Sequence, residues 1–239
     1  MATELIIAPP AAGKTTFCIQ RVLETQKARP LANVWVIVPD RQKAPHYKKR
    51  FAEAGGGMGV SVGTFRDLYM EILESNGIFT PIVTPALDTR LVQETIESAL
   101  TSGRLTHYGS IAQKPGFLPV LQDAFAELRG AYVSSAAFLD YTSTSTPAQN
   151  ELALLYNLYL KRLEQLKWID MEGQSWLAVE LLRRNPNAAK KIVHVVVDGF
   201  TSFSGVRREF LKQLSEQVEG LTITLPGEKD SKRMVHRKS

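Results

Sequence analysis

Cysteine is nearly absent from this 239-residue chain: Cys18 is the only one, and His46, His107, His194 and His236 are scattered without metal-ligand spacing. One thiol excludes an intramolecular disulfide and an iron–sulfur cluster held by four thiolates, and it fits a reducing compartment. On the apolar side of its helical stretch, Cys18 reads as core. No apolar run reaches the ~20 residues of a membrane-spanning helix, and no basic stretch leads into a secretory apolar segment. A cytoplasmic protein with no membrane partner is therefore expected. Internal repeats are missing too. An excess of one charge sign is small: the formal charge is +5, and Glu228–Ser239 supplies +3 of it through five cations against two carboxylates. Residues 227–239 read as a basic, disordered tail. The body that remains is only slightly basic, so charge permits nucleic-acid binding without requiring it. What the composition does offer is 44% hydrophobic residues, enough to bury a substantial core.

The most informative stretch is Ala8-Pro9-Pro10-Ala11-Ala12-Gly13-Lys14-Thr15, followed by Thr16. It lies between Leu5-Ile6-Ile7, which reads as a buried parallel strand, and a helical pattern from Thr16 to Glu24. A phosphate-binding loop needs small residues so that backbone N–H groups can wrap the phosphates. It also needs a lysine to reach the terminal phosphates and a hydroxyl for Mg²⁺. Gly13, Lys14 and Thr15 supply these, and the dipole of the following helix favours the phosphate charge. Ala8 stands where the generic pattern has glycine, and two prolines stiffen the loop. The cofactors expected are ATP and Mg²⁺.

Strand and helix alternate around this loop. Val34–Val38 is a continuous apolar strand, and Gln42–Ala54 is a helix stopped by Gly55-Gly56-Gly57. Val60–Val62 is a third strand, and Phe65–Leu73 a helix with Leu68, Tyr69, Ile72 and Leu73 on one face. This βαβαβα order implies an α/β fold with a parallel sheet and ligands at the carboxyl ends of its strands. From about 77 to 187 no strand is convincing, and helical spacing dominates. Phe117, Leu121, Phe125 and Leu128 mark one helix. A second starts at Thr146-Pro147 and carries Leu152, Leu155, Tyr156, Tyr159, Leu163 and Leu166 on one stripe, and a third spans about Gly173–Arg184. The aromatic stripe reads as bundle core, and the region as an inserted helical subdomain. Alternation resumes with a strand at Ile192–Val197, a helix at Val206–Val218 and a strand at Leu221–Leu225.

Asp198 ends a buried strand. Two readings are open: it holds the Mg²⁺ of a bound nucleotide, directly or through water, or it merely terminates the strand and begins a turn with Gly199. Many strand-borne ATPases place a glutamate next to orient the attacking water, and here that position is Gly199. Glu209 lies farther on and serves only if the fold brings it back. Nucleotide binding with weak or no autonomous hydrolysis is the expectation.

These segments together carry a family resemblance. The phosphate loop, then Val38-Pro39-Asp40-Arg41-Gln42, then Ser61-Val62-Gly63-Thr64-Phe65 resemble the first three motifs of UvrD-like superfamily 1 helicases, with the AddB/RexB family the best match. Leu155–Leu160 with Ile169-Asp170, and Val197-Asp198-Gly199-Phe200-Thr201-Ser202-Phe203, are similar to later segments of that family. The resemblance implies a RecA-like P-loop domain over residues 1–226, with a parallel sheet of about five strands and the helical insertion. It also implies an AddA-like helicase-nuclease partner subunit and single-stranded or end-unwound DNA as ligand, in double-strand-break repair. Lys14 and Thr15 would meet phosphate and Mg²⁺, and Asp198 would be the metal-side acid. Asp40, Arg41, Gln42, Thr64 and Phe65 stand where relatives contact single-stranded DNA. A base stacked on Phe65 would gain about 1 to 3 kcal/mol; the competing reading makes Phe65 the first core residue of its helix and Arg41 a solvated charge.

Two other functional classes remain open from the residues. One is a small-molecule or nucleoside kinase with the helical insertion as lid, for which Arg183 and Arg184 are the lid arginines available. The other is a non-catalytic DNA-binding scaffold whose phosphate loop is structural.

Overall fold

A computed structural model describes residues 2–227. The tail expected over 227–239 lies, from residue 228 onward, outside the described residues. The described residues divide into two compact units: those up to 77, 178–203 and from 208 onward form one, and 78–177 with 204–207 the other.

The first unit is built on a five-stranded, all-parallel sheet of order β1-β5-β4-β2-β3. The strands are β1 (Ala2–Ala8), β2 (Val34–Ile37), β3 (Val60–Gly63), β4 (His194–Val197) and β5 (Gly220–Pro226). Every residue of β2 is buried, as are the three valines of β4. Continuous apolar runs are what a strand covered on both faces requires. Two helices, α1 (Lys14–Ala28) and α2 (Lys43–Glu53), close one face. There Cys18, Ile19, Val22, Ala44, Tyr47 and Phe51 pack on Val34, Val36, Val38 and Val196. Strand residues of the other parity point to the opposite face. Helix α3 (Phe65–Ser75) lies against β2 and β3 and meets Phe210 through Tyr69, with ring centroids 4.6 Å apart.

One strand departs from the expectation. The run Leu5-Ile6-Ile7 does not form a buried strand: β1 is the sheet edge, bonded only to β5 among the described residues, and Leu5 and Ile7 are 55% and 56% exposed. Hydrophobicity specified a strand here without specifying its neighbours. The glycine stop after α2 is as read: Gly55 and Gly56 take φ of 113° and 60°, and the Gly56 N–H closes on the Phe51 carbonyl at 2.9 Å.

The second unit is helical. It contains α4 (Pro85–Thr101), α5 (Phe117–Gly130), α6 (Ser135–Thr142), α7 (Pro147–Leu166) and the start of α8 (Gly173–Arg184). The aromatic stripe is core, with Leu155, Tyr156, Tyr159 and Leu163 packed against Leu91, Ile96, Leu121 and Phe125. Thr146 caps α7 with Pro147 in the first turn, as the sequence predicts, and Gln149 completes a capping box. A single parallel bridge, Ile82 to Ile169, joins the segment entering this unit to the one leaving α7, through Val83 N–H to Ile169 O (2.9 Å) and Ile169 N–H to Pro81 O (3.0 Å). Helix α9 (Gly205–Ser215) then leads to β5.

Candidate nucleotide-binding site

The loop after β1 turns twice through left-handed backbone, at Ala11 (φ 62°) and Gly13 (φ 82°). Gly13 is the N-cap of α1, and a β-carbon there would meet nothing within 4 Å, so glycine is required for its backbone and not for space. The first intrahelical bond runs from Phe17 N–H to Gly13 O at 3.0 Å. The amides of Lys14, Thr15 and Thr16 therefore have no acceptor within the helix. No acidic residue occupies the first turn of α1; the carboxylate that meets this positive dipole end is Asp198, bonded to Thr15. Two cations border that end. Lys14 Nζ donates to the carbonyls of Ala8 and Pro9, both at 2.7 Å, and Arg50 of α2 donates to Thr16 Oγ1 at 3.0 Å.

Asp198 meets the end of the loop. Thr15 Oγ1 donates to Asp198 Oδ2 at 2.7 Å, joining residues 183 positions apart. Asp198 follows β4, is 5% exposed, and takes a second hydroxyl bond on Oδ1 from Thr224 of β5 at 2.5 Å. Gly199 then turns the chain with φ 85°. Behind the loop, Cys18 is fully buried, and burial first, then the negative charges of Asp198 and Glu4, push its thiol up to about 12. It is therefore an inert core residue.

A threonine hydroxyl beside a buried carboxylate is an all-oxygen donor set, which suits Mg²⁺. Among the described residues no three His, Cys, Asp or Glu side chains converge to hold a metal by themselves. A cation here would take its remaining ligands from phosphate and water.

The residues matched to DNA contacts lie in the loops after β2 and β3 and at the start of α3. Asp40 accepts the Lys43 N–H at 2.9 Å, and Gln42 is the N-cap of α2 without a side-chain bond to it. Arg41 reaches Asp67 at 2.8 Å, and Asp67 also accepts the N–H and hydroxyl of Thr64, each at 2.8 Å. Burial alone would raise the Asp67 carboxyl, but the Thr64 and Arg41 bonds outweigh it and hold it below its ordinary value. Phe65 is 3% exposed, inside a cluster with Tyr69, Phe200, Phe203 and Phe210, which leaves its ring no open face for a base. Glu209 accepts from Arg183 (2.9 Å) and Gln213 (3.0 Å). Arg184 pairs with Glu180.

Sequence reasoning passed over Asp67, Arg50 and Thr224. The spacing Thr64-x-x-Asp67 is a capping-box signal and identifies Asp67. Nothing local marks Arg50 or Thr224.

The family model described as "ADDB, N-terminal" matches residues 5–239. Three curated proteins, each named as the B subunit of an ATP-dependent helicase/deoxyribonuclease, are similar to the chain. The protein of Lysinibacillus sphaericus is 23% identical over 95% of the chain, and that of Bacillus anthracis 25% over 94%. In each of these two the chain spans 20% of the relative. The protein of Carboxydothermus hydrogenoformans is 22% identical over 95% of the chain and 21% of the relative. The chain thus spans about a fifth of the length of the curated relatives it matches.

Proposed function

The chain belongs to the AddB N-terminal family, and from that premise we propose that it is the Mg²⁺–ATP-binding, helicase-like domain of an AddB-like helicase-nuclease subunit. The observation that carries this reading is the Thr15–Asp198 hydrogen bond, which joins the end of the phosphate loop to the acid that follows β4, one strand removed from β1. Donating its proton to Asp198 leaves the Thr15 oxygen's lone pairs aimed away from the carboxylate and open to a cation. Asp198 orients that hydroxyl and accepts from cation-bound water. The Lys14 ammonium exchanges two loop carbonyls for phosphate oxygens, and the amides of Lys14, Thr15 and Thr16 supply further donors. Bound Mg²⁺ would neutralise charge between the phosphates.

Turnover by this domain alone is weak or absent in this reading. Gly199 offers no base, and Glu209 is committed to Arg183 and Gln213. The partners are an AddA-like helicase-nuclease subunit and single-stranded or end-unwound DNA, in double-strand-break repair in the cytoplasm. Arg41 and the polar loops after β2 and β3 supply exposed DNA contacts, whereas Phe65 serves packing.

Titration calorimetry with ATP and Mg²⁺ tests the site. Saturable binding abolished by K14A, with phosphate release at or near background, is expected. No heat and no thermal shift at millimolar nucleotide would refute it in favour of a scaffold with a structural loop. That second reading has one observation behind it, since Lys14 already satisfies carbonyls of its own loop. Phosphate transfer to a nucleoside would point instead to a kinase.

A further inference from the structure

We propose that Thr224 is a positioning residue of the nucleotide site, holding Asp198 so that the carboxylate can serve the Mg²⁺ that accompanies the phosphates; this rests on the nucleotide-binding reading above. Strand β5 lies between β1, which carries the loop, and β4, which ends before Asp198. Its register sets Ile223 beside Val197 of β4 and Thr224 beside Ile6 of β1. Thr224 is 1% exposed, and its hydroxyl donates to Asp198 Oδ1 while Thr15 donates to Oδ2. The two carboxylate oxygens therefore have separate hydroxyl partners, one fixed in the sheet and one at the loop.

The division has a consequence for the cation. A carboxylate held only by Thr15 could rotate about its Cβ–Cγ bond as the loop closes on phosphate. Held also at Oδ1 from a central strand, it keeps Oδ2 directed at the loop, and the orientation exists before the ligand arrives. Thr222, two residues earlier on the same face of β5, is equally buried and bonds His194 Nε2 at 2.9 Å at the opposite end of β4. The two threonines thus have similar settings and different partners, which makes Thr222 the internal control.

The full chain is titrated with ATP in Mg²⁺ and with ATP in EDTA, as wild type, T224V, T224S and T222V. T224V is expected to lose about tenfold in the Mg²⁺-containing titration, the size of a charge-assisted hydrogen bond, and to match wild type in EDTA. T224S should restore the Mg²⁺ increment, and T222V should leave it unchanged. A purely structural threonine would lower both titrations together, and that result overturns the proposal, as does a Mg²⁺ increment untouched by T224V. Should T224V lack a cooperative melt, T224C keeps similar volume with only a weak S–H donor and is expected to show the same selective loss. Failure of the underlying reading looks different: wild type then binds no nucleotide in either buffer.

Discussion

The substitution G199E, which places a glutamate after Asp198, asks whether one side chain would give the proposed site turnover. Gly199 has φ 85°, and a β-carbon there would stand 3.4 Å from Pro39 Cδ and 3.5 Å from Pro39 Cγ. The contacts are ordinary to slightly tight, so the backbone dominates. Left-handed geometry costs an L-residue about 1–2 kcal/mol. The lower entropy of the unfolded chain returns about 0.4–1 kcal/mol of this. G199A should therefore destabilise by about 1 kcal/mol net, the difference of those two terms. G199E should lose more, because its carboxylate follows directly on buried Asp198. Urea unfolding measures both variants against wild type, and phosphate release with Mg²⁺–ATP measures turnover. No gain in hydrolysis is expected, since the left-handed turn directs Cβ differently from an extended residue at a strand end. G199A as stable as wild type would refute the strain argument, and G199E hydrolysing ATP at undiminished stability would refute the whole line of reasoning.

In the helical unit, Glu151 accepts the N–H groups of Thr106, His107 and Tyr108 at 2.7–2.9 Å and the Thr106 hydroxyl at 2.8 Å. Burial works to raise its carboxyl, but these bonds outweigh it and hold it below its ordinary value of 4.5. The unfolded chain therefore binds this proton more readily, and the stabilisation is full above 4.5 and drains away as pH falls through the lower folded value. Urea melts of wild type and E151Q between neutral and acid pH should converge, with the variant's profile the flatter; parallel profiles would sink the idea. Arg129 and Asp170 form a two-pronged pair at 2.9 and 3.1 Å with side chains only 10% and 12% exposed. R129M should cost about 3–5 kcal/mol by leaving a buried carboxylate unpaired, and R129M/D170L should recover most of it in calorimetric melts. Non-recovery would place the energy in the Arg129–Trp176 contact. R50A should weaken Mg²⁺–ATP binding severalfold, more at low salt, because it removes a cation from the start of α1; equal affinity across salt concentrations would count against that role.

What could be read from sequence was what is local or covered on both faces. The runs at 34–38 and 192–197 announced strands because they are apolar throughout or, with His194 the exception, almost throughout, and Thr146-Pro147 announced a helix start because a cap is made by neighbours in the chain. The loop from Ala8 to Thr15 was legible for the same reason: its amides, lysine and hydroxyl are consecutive. Leu5-Ile6-Ile7 shows the limit, since an apolar run carries no record of how many strands flank it, and β1 is an edge. Helix α6, eight residues long with only Thr142 buried, has too weak a face to register as a period. Glu151 and Arg129 interrupt helical stripes with charges whose partners come from 41 to 45 positions away, so a periodic pattern treats them as surface. The candidate site divides along this line. Asp198 was singled out because a phosphate loop with Mg²⁺ calls for a carboxylate at the end of a buried strand, a rule that needs no knowledge of strand order. Thr224 was not, because its role arises only once β5 lies between β1 and β4. The amides and the lysine of such a site are therefore written in one short stretch, while Arg50 and the orientation of the acid come only with the fold. Variants of the loop should alter whether phosphate binds, and variants of the sheet how strongly that binding depends on Mg²⁺.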